Sequence, residues 1–230
     1  MKNSWKKWII LGLAAVAVVI AAVFLLPKDL DVVGRESVTS FKAVLTAADD
    51  KVTPDDLNGG WSLAAPDGSA RFIWSKDYSR SPVYDVMLEL DAQPFLDAGL
   101  DTGRLPESFT VHDGKLMLGT KLGNDALTYQ GEATPLASYE HIAARYKKAV
   151  GYHAALDHYN VNLGGGNLFE WAKDMGKNDK DIVFVLDPGP FIAAGVDPGA
   201  VSGWVFAKVS TDINGKMAEV DKFLKPFELE

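Results

Sequence analysis

The pattern of apolar and polar residues along this chain is repeated, so that one series of predicted elements occurs twice. In the first series, apolar residues at helical spacing from Ser37 to Ala48 predict an amphipathic helix. Two strand-like runs flank the turn Pro66-Asp67-Gly68 and predict a hairpin. A third strand, Val83 to Leu90, alternates apolar and polar residues, and a short helix and a second hairpin over 107–120 follow it. The predicted unit is therefore helix, hairpin, strand, short helix, hairpin.

The signature after the third strand is written a second time. Residues 86–111 and 182–207 align at a constant offset of 96 without a gap, and eight of the 26 positions are identical. Roughly one or two identities would be expected by chance. The identical pairs are Leu90/Leu186, Asp91/Asp187, Pro94/Pro190, Phe95/Phe191, Ala98/Ala194, Gly99/Gly195, Asp101/Asp197 and Gly103/Gly199. Residues 72–77 and 169–174 repeat a further motif at an offset of 97, so the chain contains an internal duplication.

The second copy differs from the first in its outer parts. Its helix is predicted to be longer, from Ser138 to about His158, and its first hairpin turns at Gly164-Gly165-Gly166. Residues 216–224 fit the period of a helix as well as that of a strand. We predict a strand, because residues 214–217 fall where the hairpin turn Asp113-Gly114-Lys115-Leu116 stands in the first copy.

These patterns predict an α+β fold with an N-terminal transmembrane helix and two tandem copies of the unit, packed as a pseudo-two-fold body. The predicted parts are a cytoplasmic stub with a transmembrane signal anchor (1–27), a tether (28–36), repeat 1 (37–122), a linker (123–137) and repeat 2 (138–230).

The transmembrane prediction rests on the run from Trp8 to Leu26, which has no polar side chain and would span about 28 Å as a helix. A cleaved signal peptide and a buried core helix are the alternatives. Residues 23–27, Val-Phe-Leu-Leu-Pro, are a poor cleavage context, so we predict an uncleaved anchor. Three lysines before the run place the N-terminus in the cytoplasm and the remaining chain outside the cell membrane.

Charge and cysteine content exclude several classes of function. Without the three lysines that precede the apolar run, 20 basic residues stand against 31 acidic ones, a net charge of −11. Such a domain should be repelled by nucleic acid and by anionic lipid headgroups. The absence of cysteine excludes disulfides, thiolate catalysis, cysteine metal sites and a lipoprotein anchor.

The repeated aspartates are the first candidates for chemistry. Asp91 and Asp187 recur with their surroundings, as do Asp101 and Asp197, and paired carboxylates can serve acid–base or metal chemistry. Helix capping is the alternative, because Asp91 and Asp187 stand directly before a short helix that contains proline. We interpret them as caps, since duplication preserves folding signals in both copies.

Histidines, serines, glycines and tryptophans give weaker signals. His153 and Asp157 would share a helix face and offer two metal ligands, but no third ligand is visible, so we interpret His153 as a core histidine. The glycine turn lacks the lysine of a phosphate-binding loop. The remaining candidates are His112, His141 and His158, and Ser62, Ser75 and Ser202, which lack a nucleophile-elbow pattern. Of Trp61, Trp74, Trp171 and Trp204, we interpret Trp74 and Trp171 as equivalent core anchors, and a sugar-stacking platform of exposed tryptophans is the alternative.

The predicted function depends on the predicted location outside the membrane and on the lack of a recognisable catalytic pattern in the sequence. We expect a membrane-anchored extracytoplasmic domain that is not an enzyme and that binds a protein or a cell-envelope component. Its predicted contacts are the membrane, through residues 8–26, and that partner, with no nucleic acid, cofactor, metal or catalytic residue. The alternatives are a small-molecule ligand in a cleft between the repeats, and an envelope hydrolase that uses Asp91 and Asp187.

Overall fold

The structure is a computed structural model that describes residues 29–76, 83–123, 131–176, 180–213 and 216–229. Within these residues the chain forms two curled six-stranded antiparallel sheets and four short α-helices. The fold is therefore mostly β-sheet, and the predicted α+β class with a transmembrane helix is wrong. Two differences explain the error. The second half of the predicted helix from Ser138 to His158 belongs to a hairpin, and the last hairpin of the chain is much longer than its counterpart in the first repeat.

Both repeats have the same element order. Repeat 1 contains α1 (Leu30–Ala47), β1 (Val52–Asp55), β2 (Gly60–Ala64), β3 (Ala70–Ser75), β4 (Val86–Asp91), α2 (Gln93–Asp97), β5 (Phe109–His112) and β6 (Lys115–Thr120). Repeat 2 contains α3 (Pro135–Arg145), β7 (Val150–His153), β8 (His158–Gly164), β9 (Asn167–Ala172), β10 (Ile182–Leu186), α4 (Gly189–Ala193), β11 (Val205–Ile213) and β12 (Lys216–Phe227). Short 3-10 turns lie at Thr102–Arg104, Lys147–Ala149 and Pro198–Ala200. The sheet orders, β1-β2-β3-β4-β6-β5 and β7-β8-β9-β10-β12-β11, correspond strand for strand, so the internal repeat is visible in the structure.

Helix α1 begins at Leu30, within the stretch predicted as a tether, because the Asp29 carboxylate accepts the backbone N–H of Asp31 at 2.7 Å. One face of α1 is buried and the other carries charged residues. Among the residues described, no helix is long and apolar enough to cross a membrane. The predicted single-pass membrane topology is therefore not supported, and residues 8–26, on which it rested, lie outside the described residues.

The predicted helix from Ser138 to His158 is wrong in its second half. Helix α3 ends at Arg145, and residues 150–164 form the hairpin β7–β8. Gly151 is a poor helix residue, and a Cβ there would lie 2.6 Å from Asn160 Oδ1 on the neighbouring strand. The bare backbone at this position lets the two strands pair closely.

Two other strands test the sequence patterns. The predicted strand over 216–224 is confirmed as part of β12. Strand β1 was missed, because Pro54 favours a break; β1 is an edge strand, where a proline N–H is not needed for pairing.

Equivalent aromatic residues of the two repeats pack against each other. The rings of Phe72 and Phe169 stack with centroids 4.2 Å apart, and those of Phe95 and Phe191 stack at 4.7 Å. Phe109 packs on Phe191 at 5.4 Å, and Trp204 packs on Phe95 at the same distance. These reciprocal contacts place an axis of approximate two-fold symmetry between the repeats.

The backbone crosses between repeats in the same reciprocal way. Asp101 N–H donates to the carbonyl of Ala194, and Asp197 N–H donates to that of Ala98, both at 2.8 Å. Gly99 and Gly195 have φ of +101°, and a Cβ on either would lie 3.0 Å from the carbonyl oxygen of the other. Only glycine satisfies both the left-handed conformation and this close approach.

The two longer helices each cover the sheet of the other repeat. Trp171 Nε1–H of β9 donates to Ser40 Oγ on α1 at 3.1 Å. Ser138 Oγ on α3 donates to the carbonyl of Ser75 on β3 at 2.5 Å. Phe41 of α1 lies between Trp74 and Trp171, with centroids 5.6 and 5.2 Å away. The repeats are therefore joined through exchanged helices as well as through the paired aromatic residues.

Candidate functional site

The four repeated aspartates hold local turns. Asp91 Oδ1 accepts the N–H of Gln93 at 3.3 Å, and Asp187 Oδ1 accepts the N–H of Gly189 at 3.0 Å. The Oδ1 atoms of Asp101 and Asp197 accept the N–H two residues on, each at 3.0 Å. Each carboxylate therefore satisfies an amide in the first turn of a short helical segment, as a cap does.

A second repeated pair of aspartates, Asp85 and Asp181, is buried and was missed in the sequence. Asp85 accepts from Lys121 Nζ at 2.7 Å and from Leu122 N–H at 2.8 Å. Asp181 accepts from Gly176 N–H at 3.0 Å and Leu229 N–H at 3.1 Å. Each ties the start of a central strand to the chain that follows its sheet. The offset of 96 was the available signal, one residue before the aligned window.

The structure separates the predicted His153–Asp157 pair. His153 ends β7, whereas Asp157 lies in the following turn with φ of +55° and contacts Tyr152. His153 Nδ1 instead lies 3.7 Å from Glu170 Oε1, and His158 Nδ1 lies 3.9 Å from Glu170 Oε2. Sequence reasoning missed Glu170. Its neighbours Phe169 and Trp171 face the core on the opposite side of β9, so the apolar pattern of this strand did not point to Glu170 as part of a site.

His153, His158 and Glu170 form what we call the outer-face cluster of repeat 2. Glu170 is 3% exposed, and its carboxylate lies between the two imidazoles. Glu170 raises the pKa of His153, although burial opposes the change, and the carbonyl of Ser210 adds to the increase. Burial lowers the pKa of Lys222 on β12, against the attraction of Asp187 and Glu170. The two imidazoles therefore share one buried carboxylate.

An insertion in repeat 2 reaches this cluster. Phe109 and Trp204 make equivalent ring contacts, and Leu90 faces Leu116 as Leu186 faces Phe223. Leu116 lies seven positions after Phe109, whereas Phe223 lies 19 positions after Trp204, so the second hairpin is longer by 12 residues. We call residues 208–213 with 216–221 the arm. The alignment of residues 214–217 with 113–116 is therefore wrong: Lys115 corresponds to Lys222.

The arm returns to the opposite edge of the sheet. His153 Nε2 on β7 lies 2.9 Å from the backbone carbonyl oxygen of Ser210 on β11. Because β7 and β11 are the two edge strands of this sheet, the contact joins its edges and closes the curl over the outer-face cluster.

The outer edge of β11 carries backbone groups that β12 does not pair. Ile213 faces Lys216 across a two-residue connection, so these two residues form a hydrogen-bonded pair. Hydrogen-bonded and non-hydrogen-bonded pairs alternate along an antiparallel ladder. The backbone N–H and C=O groups of Phe206, Lys208 and Ser210 therefore point away from β12. The position of His153 against the Ser210 carbonyl agrees with this direction. Val205 and Phe206, at the start of the same edge, are 48% and 40% exposed.

The other sequence candidates do not form a site. Ser62 and Ser75 are buried, Ser202 is exposed, and the glycine turn has positive φ at all three glycines. Trp74, Trp171 and Trp204 are buried and Trp61 is half-buried, so these four do not form an exposed stacking platform. His112 lies on the exposed β5–β6 hairpin, and burial together with Arg145 lowers the pKa of His141 on α3.

Shallow grooves lie where the two repeats meet. Two shallow grooves of about 460 and 520 Å³ follow the contact between α1 and α3, lined by residues of both repeats. A small-molecule ligand between the repeats remains a prediction.

Over the described part of the chain, no group of three or more histidine, aspartate or glutamate side chains is placed to hold a metal ion. Comparison with protein-family models, curated proteins and solved structures finds no match, so functional inference depends on this geometry alone.

Proposed function

We propose that this protein binds an extended segment of a partner protein by adding it as a strand to the free edge of β11, and that it acts without catalysis. The supporting observation is the outward main chain of Phe206 and Lys208, next to Ser210, whose outward carbonyl His153 contacts. A strand edge of this kind offers N–H and C=O groups in the spacing that a peptide backbone needs.

The length of β11 distinguishes it from the other sheet edges. Strands β1, β5 and β7 are edge strands of four residues each, whereas β11 has nine. Proteins usually keep edge strands short or cover them, because long exposed edges associate with other chains. An edge kept long in one repeat and short in the other therefore favours a binding role.

The side chains beside this edge favour a protein over a nucleic acid. Val205 and Phe206 are exposed apolar residues at its start, and Met217 is exposed on the arm. Lys208 is paired with Asp221 at 3.0 Å across the two strands of the arm, so its charge is partly balanced. The chain has a net charge of −8, which disfavours a phosphate backbone.

The test is a selection of extended peptides from a display library on the immobilised full-length chain. Lys208→Pro should abolish binding of the selected peptides, because proline removes an outward N–H that a new strand needs. The fold should persist, because that N–H is not used in the ladder with β12. Far-UV circular dichroism and the melting temperature of the variant check the fold.

Two control variants make the result specific. Lys208→Thr keeps the N–H and should retain binding, which separates the backbone from the lysine charge. Val111→Pro removes an outward N–H from β5, the matching edge of repeat 1, and should also retain binding. Peptides that bind folded Lys208→Pro as well as the original chain, or a selection that yields no peptide, would contradict strand addition at β11.

A further inference from the structure

His153 stands where it can hold the arm in place. Its Nε2 lies 2.9 Å from the Ser210 carbonyl oxygen, and its Nδ1 lies 3.7 Å from Glu170 Oε1. A carbonyl oxygen and a carboxylate are both hydrogen-bond acceptors, and a neutral imidazole carries only one N–H. Only the doubly protonated, charged ring can direct an N–H towards both.

Either neutral tautomer loses one side of this arrangement. With the proton on Nε2, the Nδ1 lone pair faces the Glu170 carboxylate. With the proton on Nδ1, the Nε2 lone pair faces the Ser210 carbonyl. Deprotonation of His153 therefore replaces the charge-assisted Nε2–H bond to Ser210 with a weaker uncharged one in the first tautomer, and removes that bond in the second.

Several charged groups surround the ring; Glu170 and the Ser210 carbonyl favour its charged form, whereas burial opposes it. Glu170 comes from β9, and His158, directly across from His153 on β8, is itself 3.9 Å from Glu170. The charge of Lys222 on β12 is attracted by Glu170. Asp157 lies in the adjoining turn, where Tyr152 and Lys173 contact it. Glu170 is the main cause of the raised pKa of His153, and the Ser210 carbonyl adds to it. The charged ring therefore stabilises the closed arm at low pH, and this contribution is lost as pH rises through the raised value.

We propose that His153 is a pH-dependent clasp, which closes the arm against β7 at low pH and releases the carbonyl of Ser210 as pH rises. Ser210 is one of the three residues whose main chain faces the free edge of β11. If β11 is the binding edge, which rests on the function proposed above, release of Ser210 lengthens that edge and partner binding tightens with pH.

The clasp can be measured without any partner. In the full-length chain, the imidazole resonances of His153 and the methyl resonances of Val209 and Ala218 on the arm would be followed by NMR from pH 5 to 9. The ring should titrate above the unperturbed histidine value of about 6.5. The arm methyl groups should shift with the same midpoint.

Three variants separate the clasp from general effects of pH. His153→Gln keeps an amide donor but does not titrate, so the arm methyl groups should no longer change with pH. Glu170→Gln should lower the midpoint of both the ring and the arm. His112→Gln, on the hairpin of repeat 1, should change neither.

Arm methyl groups that titrate unchanged in His153→Gln, or a His153 ring that titrates at or below about 6.5, would overturn the clasp. These readouts do not involve a peptide. A failed peptide selection would therefore count against strand addition while leaving the clasp to stand or fall on the NMR titration.

Discussion

The outer faces of the two sheets are held in different ways. Asp55 in repeat 1 occupies the strand position that His153 occupies in repeat 2, because Asp55 faces Gly60 as His153 faces His158. Asp55 contacts Arg71 at 3.5 Å, and Arg71 binds Glu89 with two hydrogen bonds of 3.1 and 2.8 Å. His153 instead reaches a strand at the far edge of its own sheet.

This difference distinguishes features that both repeats share, which build the fold, from features that occur in repeat 2. The shared features, such as the stacked phenylalanines, the facing glycines and the buried aspartates, build the body of both repeats. The arm, the outer-face cluster and the long edge of β11 occur in repeat 2, and the equivalent hairpin of repeat 1 is short. Changes to shared features should therefore affect stability in both repeats, and changes to the arm should affect binding.

The largest effect is expected at the buried aspartates. Asp85→Ala removes a partner of Lys121 and the acceptor of a part-buried backbone N–H, so the free energy of unfolding should fall by about 3–5 kcal/mol. Asp181→Ala leaves two backbone N–H groups without their acceptor and should cost about 1–3 kcal/mol. Urea denaturation measures both, and a cost below about 0.5 kcal/mol at either site would contradict an architectural role.

The facing glycines should show equal penalties. Gly99→Ala and Gly195→Ala each introduce a left-handed alanine and a 3.0 Å contact with a carbonyl oxygen, so each should cost more than about 1 kcal/mol. Gly68→Ala is the control, since its φ is +69° but the space beside it is open, and its cost should be smaller. Clearly unequal costs at Gly99 and Gly195, in the same urea denaturation, would contradict the reciprocal packing between repeats.

The sequence revealed the duplication and several turns correctly, because these depend on local residue chemistry. Proline, glycine and aspartate at fixed positions specify the hairpin at Asp67 and the turn after β8. The strand β12 was predicted from an alignment of residues 214–217 with 113–116 that the structure shows to be wrong. The helix predicted up to His158 failed because residues 150–153 fit both a helical stripe and a strand, and tertiary pairing with β8 decided between them.

The candidate site was beyond the sequence for a different reason. Glu170 and His158 come together across neighbouring strands, and Ser210 meets His153 over 57 residues of chain. No spacing along the chain records such contacts. The 12-residue insertion was hidden because Asn214-Gly215-Lys216 resembles the turn of the shorter hairpin.

The repeated caps should have a moderate effect. Asp91→Ala and Asp187→Ala each remove the acceptor of a first-turn N–H and should cost about 1 kcal/mol. Asp91→Asn and Asp187→Asn should be silent, because asparagine caps about as well as aspartate. Chemical denaturation of the four variants checks this, and a clearly stabilising substitution at one site would indicate a strained carboxylate instead of a cap.

Arm substitutions should have the smallest effect on stability. Lys208→Thr removes an exposed ion pair with Asp221, and Met217→Ser changes an exposed side chain. Each should change the free energy of unfolding by less than about 0.5 kcal/mol. A larger loss on chemical denaturation would mean that the arm supports the fold of repeat 2.

The most direct test of a specialised second hairpin is an NMR titration of a selected peptide into the methyl-labelled full-length chain. We predict that the methyl resonances of Val209 on β11 shift and saturate with added peptide, while those of Val111 on β5 stay in place. Shifts of Val111 equal to or larger than those of Val209 would contradict the assignment of binding to β11.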